Sequence, residues 1–136
     1  MQTIPVIKPT IYDPKSDEPL RINAPLVAEW LVEFLRDEVQ RRRGFSKALL
    51  GLSGGVDSSV VAYLCARAFG PENVYAFLMP YKVSSPESLE HGMLVVRELG
   101  IHHRVIEITP MVDAYLEGFE PDASPTRIGN ICARMR

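Results

Sequence analysis

Gly51-Leu52-Ser53-Gly54-Gly55-Val56-Asp57-Ser58-Ser59 is the stretch from which the rest of the chain can be read. A short apolar run, Lys47 to Leu52, leads into it, and Val60, Val61, Leu64 and Ala68 carry on with helical spacing. Two adjacent glycines let the backbone turn sharply and approach a ligand with no Cβ in the way. The start of a helix offers free amide N–H groups and the positive end of its dipole, so an anion is the natural occupant. Ser53, Ser58 and Ser59 add hydroxyls. Asp57 is the odd member, because a carboxylate repels phosphates unless a divalent cation bridges the two. The stretch reads as a Mg-nucleotide site.

Other readings compete for the same residues. A Walker loop needs G-x-x-x-x-G-K-[ST], and no lysine follows these glycines. The dinucleotide fingerprint G-x-G-x-x-G fails on spacing, with glycines at 51, 54 and 55. Gly51-Leu52-Ser53-Gly54-Gly55 does match G-x-S-x-G, the nucleophile elbow, in the strand-turn-helix setting that elbow requires. The plainest alternative is a tight turn without a ligand, Asp57 stabilising the first helical turn.

At 136 residues the chain has the length of one domain. A hydrophobic fraction of 46% and a charged fraction of 24% are ordinary for a globular protein. The formal net charge of -2 supplies no basic field, so no nucleic-acid partner is expected. Cys65 and Cys132 are far apart and form no metal spacing; they read as buried reduced thiols of a cytoplasmic protein. No apolar run is long enough to span a membrane, and no signal-peptide pattern is present.

Prolines at 5, 9, 14 and 19 make residues 1–22 an extended arm, and the domain occupies 23–136. Asn23 caps a first helix, with Leu26, Val27, Trp30, Leu31, Phe34, Leu35 and Val39 on its apolar face. Arg41, Arg42 and Arg43 before Gly44 read as cations at a helix C-terminus rather than an anion site. Strands are expected at Lys47 to Leu52, at Val74 to Met79 and around Val105, Ile106 and Ile108. Between them lie the loop helix, to about Phe69, and a helix opened by Ser84-Ser85-Pro86-Glu87-Ser88. His102 and His103 then precede the third strand, at its amino end. Thr109-Pro110 starts a helix through about Leu116, and a loop runs from Glu117 to Pro125. Strand-helix-strand-helix-strand with short connections gives a parallel α/β sheet with helices on both faces, in three layers. Ligands in such sheets sit at the carboxyl ends of the strands, which collects Ser53 to Ser59 with Tyr81 and Lys82. Those last two could meet an adenine or a phosphate, or be ordinary loop residues.

In the closing segment, Thr126 to Arg136, helical spacing puts Arg127, Asn130 and Arg134 within about a 60° sector. Ile128, Ile131, Cys132 and Met135 share the adjoining face. Guanidiniums suit bidentate recognition of carboxylate or phosphate. The same face could equally be solvated, with routine surface arginines.

Ser-Gly-Gly-Val-Asp-Ser, residues 53–58, resembles the pyrophosphate loop of the N-type ATP pyrophosphatases, whose fold is Rossmann-like. Leu78-Met79-Pro80-Tyr81, Ser84-Ser85-Pro86-Glu87-Ser88, Thr109-Pro110-Met111-Val112-Asp113-Ala114-Tyr115 and Gly129-Asn130-Ile131-Cys132-Ala133-Arg134-Met135-Arg136 are similar to segments of NAD synthetases. The ammonia-dependent type is the better match, since only about fifty residues precede the loop. Glu90-His91-Gly92-Met93 departs from the family's acidic-alanine continuation after the Ser-Pro-Glu-Ser box. Family members also continue well past the position of Arg136, so the resemblance implies an N-terminal portion, with the sheet incomplete at its carboxyl end.

The resemblance implies a two-step amidation. The nicotinate carboxylate of nicotinic acid adenine dinucleotide (deamido-NAD) attacks the α-phosphate of ATP, pyrophosphate leaves, and ammonia displaces AMP from the acyl-adenylate. It implies an ATP site over Gly51, Leu52, Ser53, Gly54, Gly55, Val56, Asp57 and Ser58. Ser53, Gly54, Gly55 and Ser58 would hold the pyrophosphate portion, and Asp57 would hold Mg²⁺. Arg134, with Asn130, would contact deamido-NAD, Arg136 being a weaker candidate on another side of the helix. A homodimer is implied, and no protein nucleophile. Kept alongside are another pyrophosphatase-loop ligase, such as a GMP synthetase or a tRNA-thiolating enzyme, a nucleotide-binding module without turnover, and the hydrolase elbow.

Overall fold

Asn23 is the N-cap of the first described helix. Its side-chain oxygen accepts the N–H of Leu26 at 3.2 Å, and Pro25 lies in the first turn, so α1 (Ala24–Leu35) begins where a cap and a proline place it. The structure, a computed structural model, describes residues 21–136. All but the last two residues of the expected arm therefore lie outside the described residues.

Helix α1 runs on into a wider π-helical segment, Arg36–Arg42. Arg36 leaves it to donate to the carbonyls of Ala68 and Arg67, at 3.0 and 2.9 Å, satisfying the end of the next helix. Arg41, Arg42 and Arg43 pair with Glu33, Asp37 and Glu38. The triplet is thus spent on acids of its own helical segment, and the anion-patch reading falls away. The buried side of α1 is centred on Val32, with Leu35 and Val39 packed beside it. Leu26, Trp30 and Phe34 stay exposed, so the apolar face is wider than its contact with the domain.

Three parallel strands follow in the order β1 (Ala48–Gly51), β2 (Val74–Leu78) and β3 (His102–Val105). The crossovers are α2 (Val56–Phe69) and α3 (Pro86–Leu99). Right-handed crossovers that step in one direction across a sheet place their helices on one face. Accordingly Val74, Ala76 and Leu78 are buried in one cluster with Ala62, Cys65 and Phe69 of α2 and Val96 of α3. The other face carries Leu49, which is exposed, and the half-buried Tyr75 and Phe77. The parallel winding agrees with the sequence reading; the helices among the described residues that pack on the sheet, α2 and α3, cover one of its faces.

Gly92 explains how closely α3 approaches that sheet. A Cβ at this position would lie 2.6 Å from Leu78 Cδ2. The departure at Glu90-His91-Gly92-Met93 is therefore a packing feature, the missing side chain being matched by a large neighbour.

The third strand differs from its expected position. It begins at His102, so His102 and His103 are strand residues, and it ends at Val105. Ile106 and Ile108 extend the backbone pairing, donating to Leu78 and Pro80 at 2.9 Å each. All four β3 residues are exposed. An edge strand with open side chains has no apolar alternation to betray it.

A second cluster forms past the carboxyl ends of the strands. Helix α4 (Thr109–Phe119) and helix α5 (Pro125–Met135) bury Val112, Ile131 and Cys132 against Tyr81 and Ile108. Ser124 caps α5 by accepting the N–H of Arg127 at 3.3 Å. Helix α4 runs three residues past Leu116, its expected end, and the loop shortens accordingly. Glu120 stops the loop from wandering, accepting from Tyr115 Oη at 2.8 Å and from Arg127 Nε at 2.6 Å.

Candidate nucleotide site

After Gly51 the chain makes one more ladder bond, Leu52 N–H to Phe77 O at 2.8 Å, and then turns. Gly54 makes the turn with φ of 82°, in the region that disfavours any Cβ. A Cβ there would also fall 2.0 Å from the carbonyl oxygen of Ser88, so the loop lies directly against the first turns of α3.

The serines organise the loop from inside. Ser53 Oγ accepts the N–H of Gly55 at 3.2 Å and lies 3.0 Å from Ser58 Oγ. Ser58 Oγ in turn accepts the Ser53 N–H at 3.2 Å, and Ser59 Oγ donates to the Gly55 carbonyl at 2.8 Å. Gly55 is the N-cap of α2 and offers no side chain, so the leading amides of that helix have no side-chain acceptor. Asp57 is exposed in the first turn, and no hydrogen bond or ion pair with another described residue holds it.

Beside the loop lies a cavity of about 350 Å³ at the carboxyl edge of β1 and β2. Ser53, Met79 and Pro80 line it, together with Ser84 and Ser88 at the start of α3 and the guanidinium of Arg136. Apolar walls with a few convergent polar groups are the usual make-up of a small-molecule site, and this edge is where α/β sheets bind ligands.

The hydrolase elbow loses its support here. Ser53 pairs with Ser58 and Gly55, with no imidazole among its partners. No non-glycine residue among those described has positive φ, so the strained serine of an elbow is absent from the described residues.

Tyr81 and Lys82 turn away from the cavity. Tyr81, 5% exposed, donates to Asp113 Oδ1 at 2.9 Å, and Lys82 Nζ reaches Asp113 Oδ2 at 2.7 Å. The Lys82 hydrogen bond holds the Asp113 carboxyl below its ordinary pKa, and Asp113 raises that of Lys82. Burial, followed by the Asp113 hydrogen bond, raises that of the Tyr81 phenol. This trio ties the β2–α3 connection to α4.

The face proposed on α5 divides. Arg127 is committed to Glu120, which is held at a pKa of about 2 chiefly by that hydrogen bond and then by Tyr115. Arg134 and Asn130 are exposed, and Arg134 Nη1 donates to the Asn130 carbonyl at 3.3 Å. Neither lines the cavity, whereas Arg136 does. The serines at 84, 85 and 88 are cavity walls, whereas the sequence reading took them as a helix start and as part of a segment similar to NAD synthetases, without placing them at a site.

A family model described as NAD synthase matches residues 27–136. The chain belongs to the NAD synthase family. It is 53% identical over 117 residues to the NH(3)-dependent NAD(+) synthetase of Trichlorobacter lovleyi, covering 86% of this chain and 42% of that one. The corresponding protein of Fusobacterium nucleatum is also 53% identical over 117 residues, 45% of its length. The chain thus spans less than half the length of these curated relatives. Among solved NAD synthase structures it resembles the NH3-dependent enzyme of Campylobacter jejuni, in complex with nitrate, at 33% identity and a TM-score of 0.76. That match covers 85% of this chain and 49% of the other. The glutamine-dependent NAD+ synthetase of Acinetobacter baumannii, in complex with ADP, is similar at 32% identity and a TM-score of 0.75, over 81% of this chain and 22% of that one.

Proposed function

We propose that this chain carries the ATP-binding portion of an ammonia-dependent NAD synthetase, a ligase that amidates deamido-NAD. The observation that supports it most is the Ser53–Ser58 loop at the uncapped start of α2, opening onto an apolar cavity at the strand ends. A carboxylate is a poor electrophile, and transfer of an adenylyl group to it supplies a leaving group. The nicotinate oxygen forms the bond to the α-phosphorus as the bond to the pyrophosphate oxygen breaks. Ammonia then adds to the acyl carbon, AMP departs, and the ammonia nitrogen loses its proton to solvent. The substrates provide nucleophile and leaving group at each step, so the protein's part is positioning and charge stabilisation.

In this reading Gly51 and Leu52 bring the chain to the strand end, the amides of Gly54 and Val56 with the hydroxyls of Ser53 and Ser58 receive the pyrophosphate, and Gly55, its N–H on Ser53 Oγ, lets the backbone approach it. Asp57 is a suitable Mg²⁺ ligand, because its carboxylate is exposed and uncommitted. Mg²⁺ keeps several waters and takes one or two carboxylates plus substrate phosphates, so a single Asp meets the protein's share. When bound, the ion neutralises charge on the departing pyrophosphate. Asn130 and Arg134, exposed on α5, are left to the deamido-NAD side. A homodimer belongs to the same reading, and two buried free thiols suit the cytoplasm. No helix among the described residues is long and apolar enough to cross a membrane.

The test is pyrophosphate release with Mg-ATP, deamido-NAD and ammonia, each omitted in turn. Release that requires the dinucleotide and disappears in Asp57→Ala is the expected result. Release with a different acceptor carboxylate or carbonyl in its place would move the assignment to another pyrophosphatase-loop ligase. ATP binding without release would make this chain a nucleotide-binding module.

A further inference from the structure

Ser59 is the one hydroxyl of the opening stretch that the functional reading leaves without a task. It is half-buried and does not line the cavity. Its partner is the carbonyl of Gly55, the N-cap of α2, which takes the first helical bond from the Ser59 N–H at 3.2 Å. Ser59 Oγ donates to the same oxygen at 2.8 Å, and Ser58 Oγ lies 3.2 Å from it. A carbonyl oxygen has two lone pairs, and Ser59 fills both, its hydroxyl being the nearer of the two. The Ser58 proton is therefore surplus at Gly55.

A serine hydroxyl carries one proton and two lone pairs. Ser53 and Ser58 have their oxygens 3.0 Å apart, so one proton lies between them. Each oxygen also accepts a backbone N–H, that of Ser53 on Ser58 Oγ and that of Gly55 on Ser53 Oγ. With the Gly55 carbonyl filled by Ser59, the second proton of the pair is left to point out of the loop. Without the Ser59 hydroxyl, the Ser58 proton turns to Gly55 and the Ser53 proton closes the contact to Ser58. The pair then presents only lone pairs to an anion, which repels them.

We propose, resting on the functional reading above, that Ser59 is a positioning residue that keeps one hydroxyl proton of the Ser53–Ser58 pair available to the bound phosphate groups. It acts through the Gly55 carbonyl and touches no ligand itself.

The experiment is calorimetric titration of Mg-ATP and of Mg-pyrophosphate into the wild type, Ser59→Ala and Ser59→Thr, with a thermal melt of each. Ser59→Ala is expected to weaken both ligands about fivefold, the worth of one hydrogen bond. Its Tm should not fall, because alanine is the better helix former and a serine bond back to the i−4 carbonyl adds no stability to a helix. Ser59→Thr keeps a hydroxyl that can reach the same carbonyl, and its affinities should stay within about twofold of the wild type. In a Ser58→Ala background, Ser59→Ala should cost no further affinity, since the proton it protects is already gone. Wild-type affinity in Ser59→Ala, an equal loss in Ser59→Thr, a Tm that falls together with affinity, or additive losses in the double variant would each overturn the inference and leave the functional reading intact. A wild-type chain that binds neither Mg-ATP nor Mg-pyrophosphate would overturn the functional reading, and the inference with it.

Discussion

Gly54 meets two independent demands. Its φ of 82° is strained for any L side chain, and a Cβ would sit 2.0 Å from a backbone carbonyl of α3, an atom that cannot swing aside. Gly54→Ala is therefore expected to destabilise the fold by about 2 kcal/mol or more, read as a lower urea midpoint with an unchanged slope. Nucleotide affinity should fall with it, because the loop must shift away from Ser88. At Gly55 the nearest atom to an added Cβ is Ser53 Oγ at 3.4 Å, so alanine there should cost far less stability. Equal losses at the two positions would contradict this account of the turn. This much of the site was legible in the sequence, because glycines at a strand-to-helix turn carry their backbone requirement in their identity. Arg136 was read only as a weaker candidate for the dinucleotide, since helical spacing placed it away from Arg134, and its hydrogen bond to the Met79 carbonyl had no signal in the sequence.

At the scale of elements, legibility followed burial. Strand β2 alternates buried and half-buried residues between two neighbours, and its apolar run announced it. Strand β3 is held through its backbone with all its side chains open, so its polar first residues hid its start. Helix α4 outran its expected end because the Tyr115–Glu120–Arg127 cluster, which joins α4 to α5 across the loop, sets where it stops. The contact between α3 and the sheet is the sharpest element-scale prediction. Gly92→Ala gains about 1 kcal/mol of helix propensity. Against this stands the 2.6 Å approach to Leu78 Cδ2, on a side chain 2% exposed and so with no room to yield. Overpacking costs about 1–3 kcal/mol and should win, lowering Tm by several degrees. Adding Leu78→Ala to the variant should recover part of that loss relative to Leu78→Ala alone, because the two positions share the space. A Gly92→Ala variant more stable than the parent would show that α3 rides farther from the sheet.

Among the described residues two clusters divide the work: one under the sheet, holding the loop, and one past the strand ends, holding α4 and α5. The β2–α3 connection joins them through Tyr81, which is buried in the second cluster while its neighbours line the cavity. Any condition that loosens the second cluster should therefore reach the candidate nucleotide site, and Glu120 supplies such a condition. Its pKa is about 2 in the folded chain, lowered first by the Arg127 hydrogen bond and then by Tyr115. A carboxyl whose folded pKa lies below its unfolded value adds stability above the unfolded pKa and loses it as pH falls through the folded one. The contribution should be complete above about pH 5 and fade between the ordinary carboxylate range and about pH 2. The pair is partly open to solvent, so salt should shrink it. Thermal melts of the wild type and Glu120→Gln against pH should differ at neutral pH and converge in acid, at low ionic strength more than at high. Curves that stay parallel down to pH 2 would mean that α5 is held by its apolar face alone, and that the Glu120–Arg127 pair adds nothing to the cluster behind the cavity.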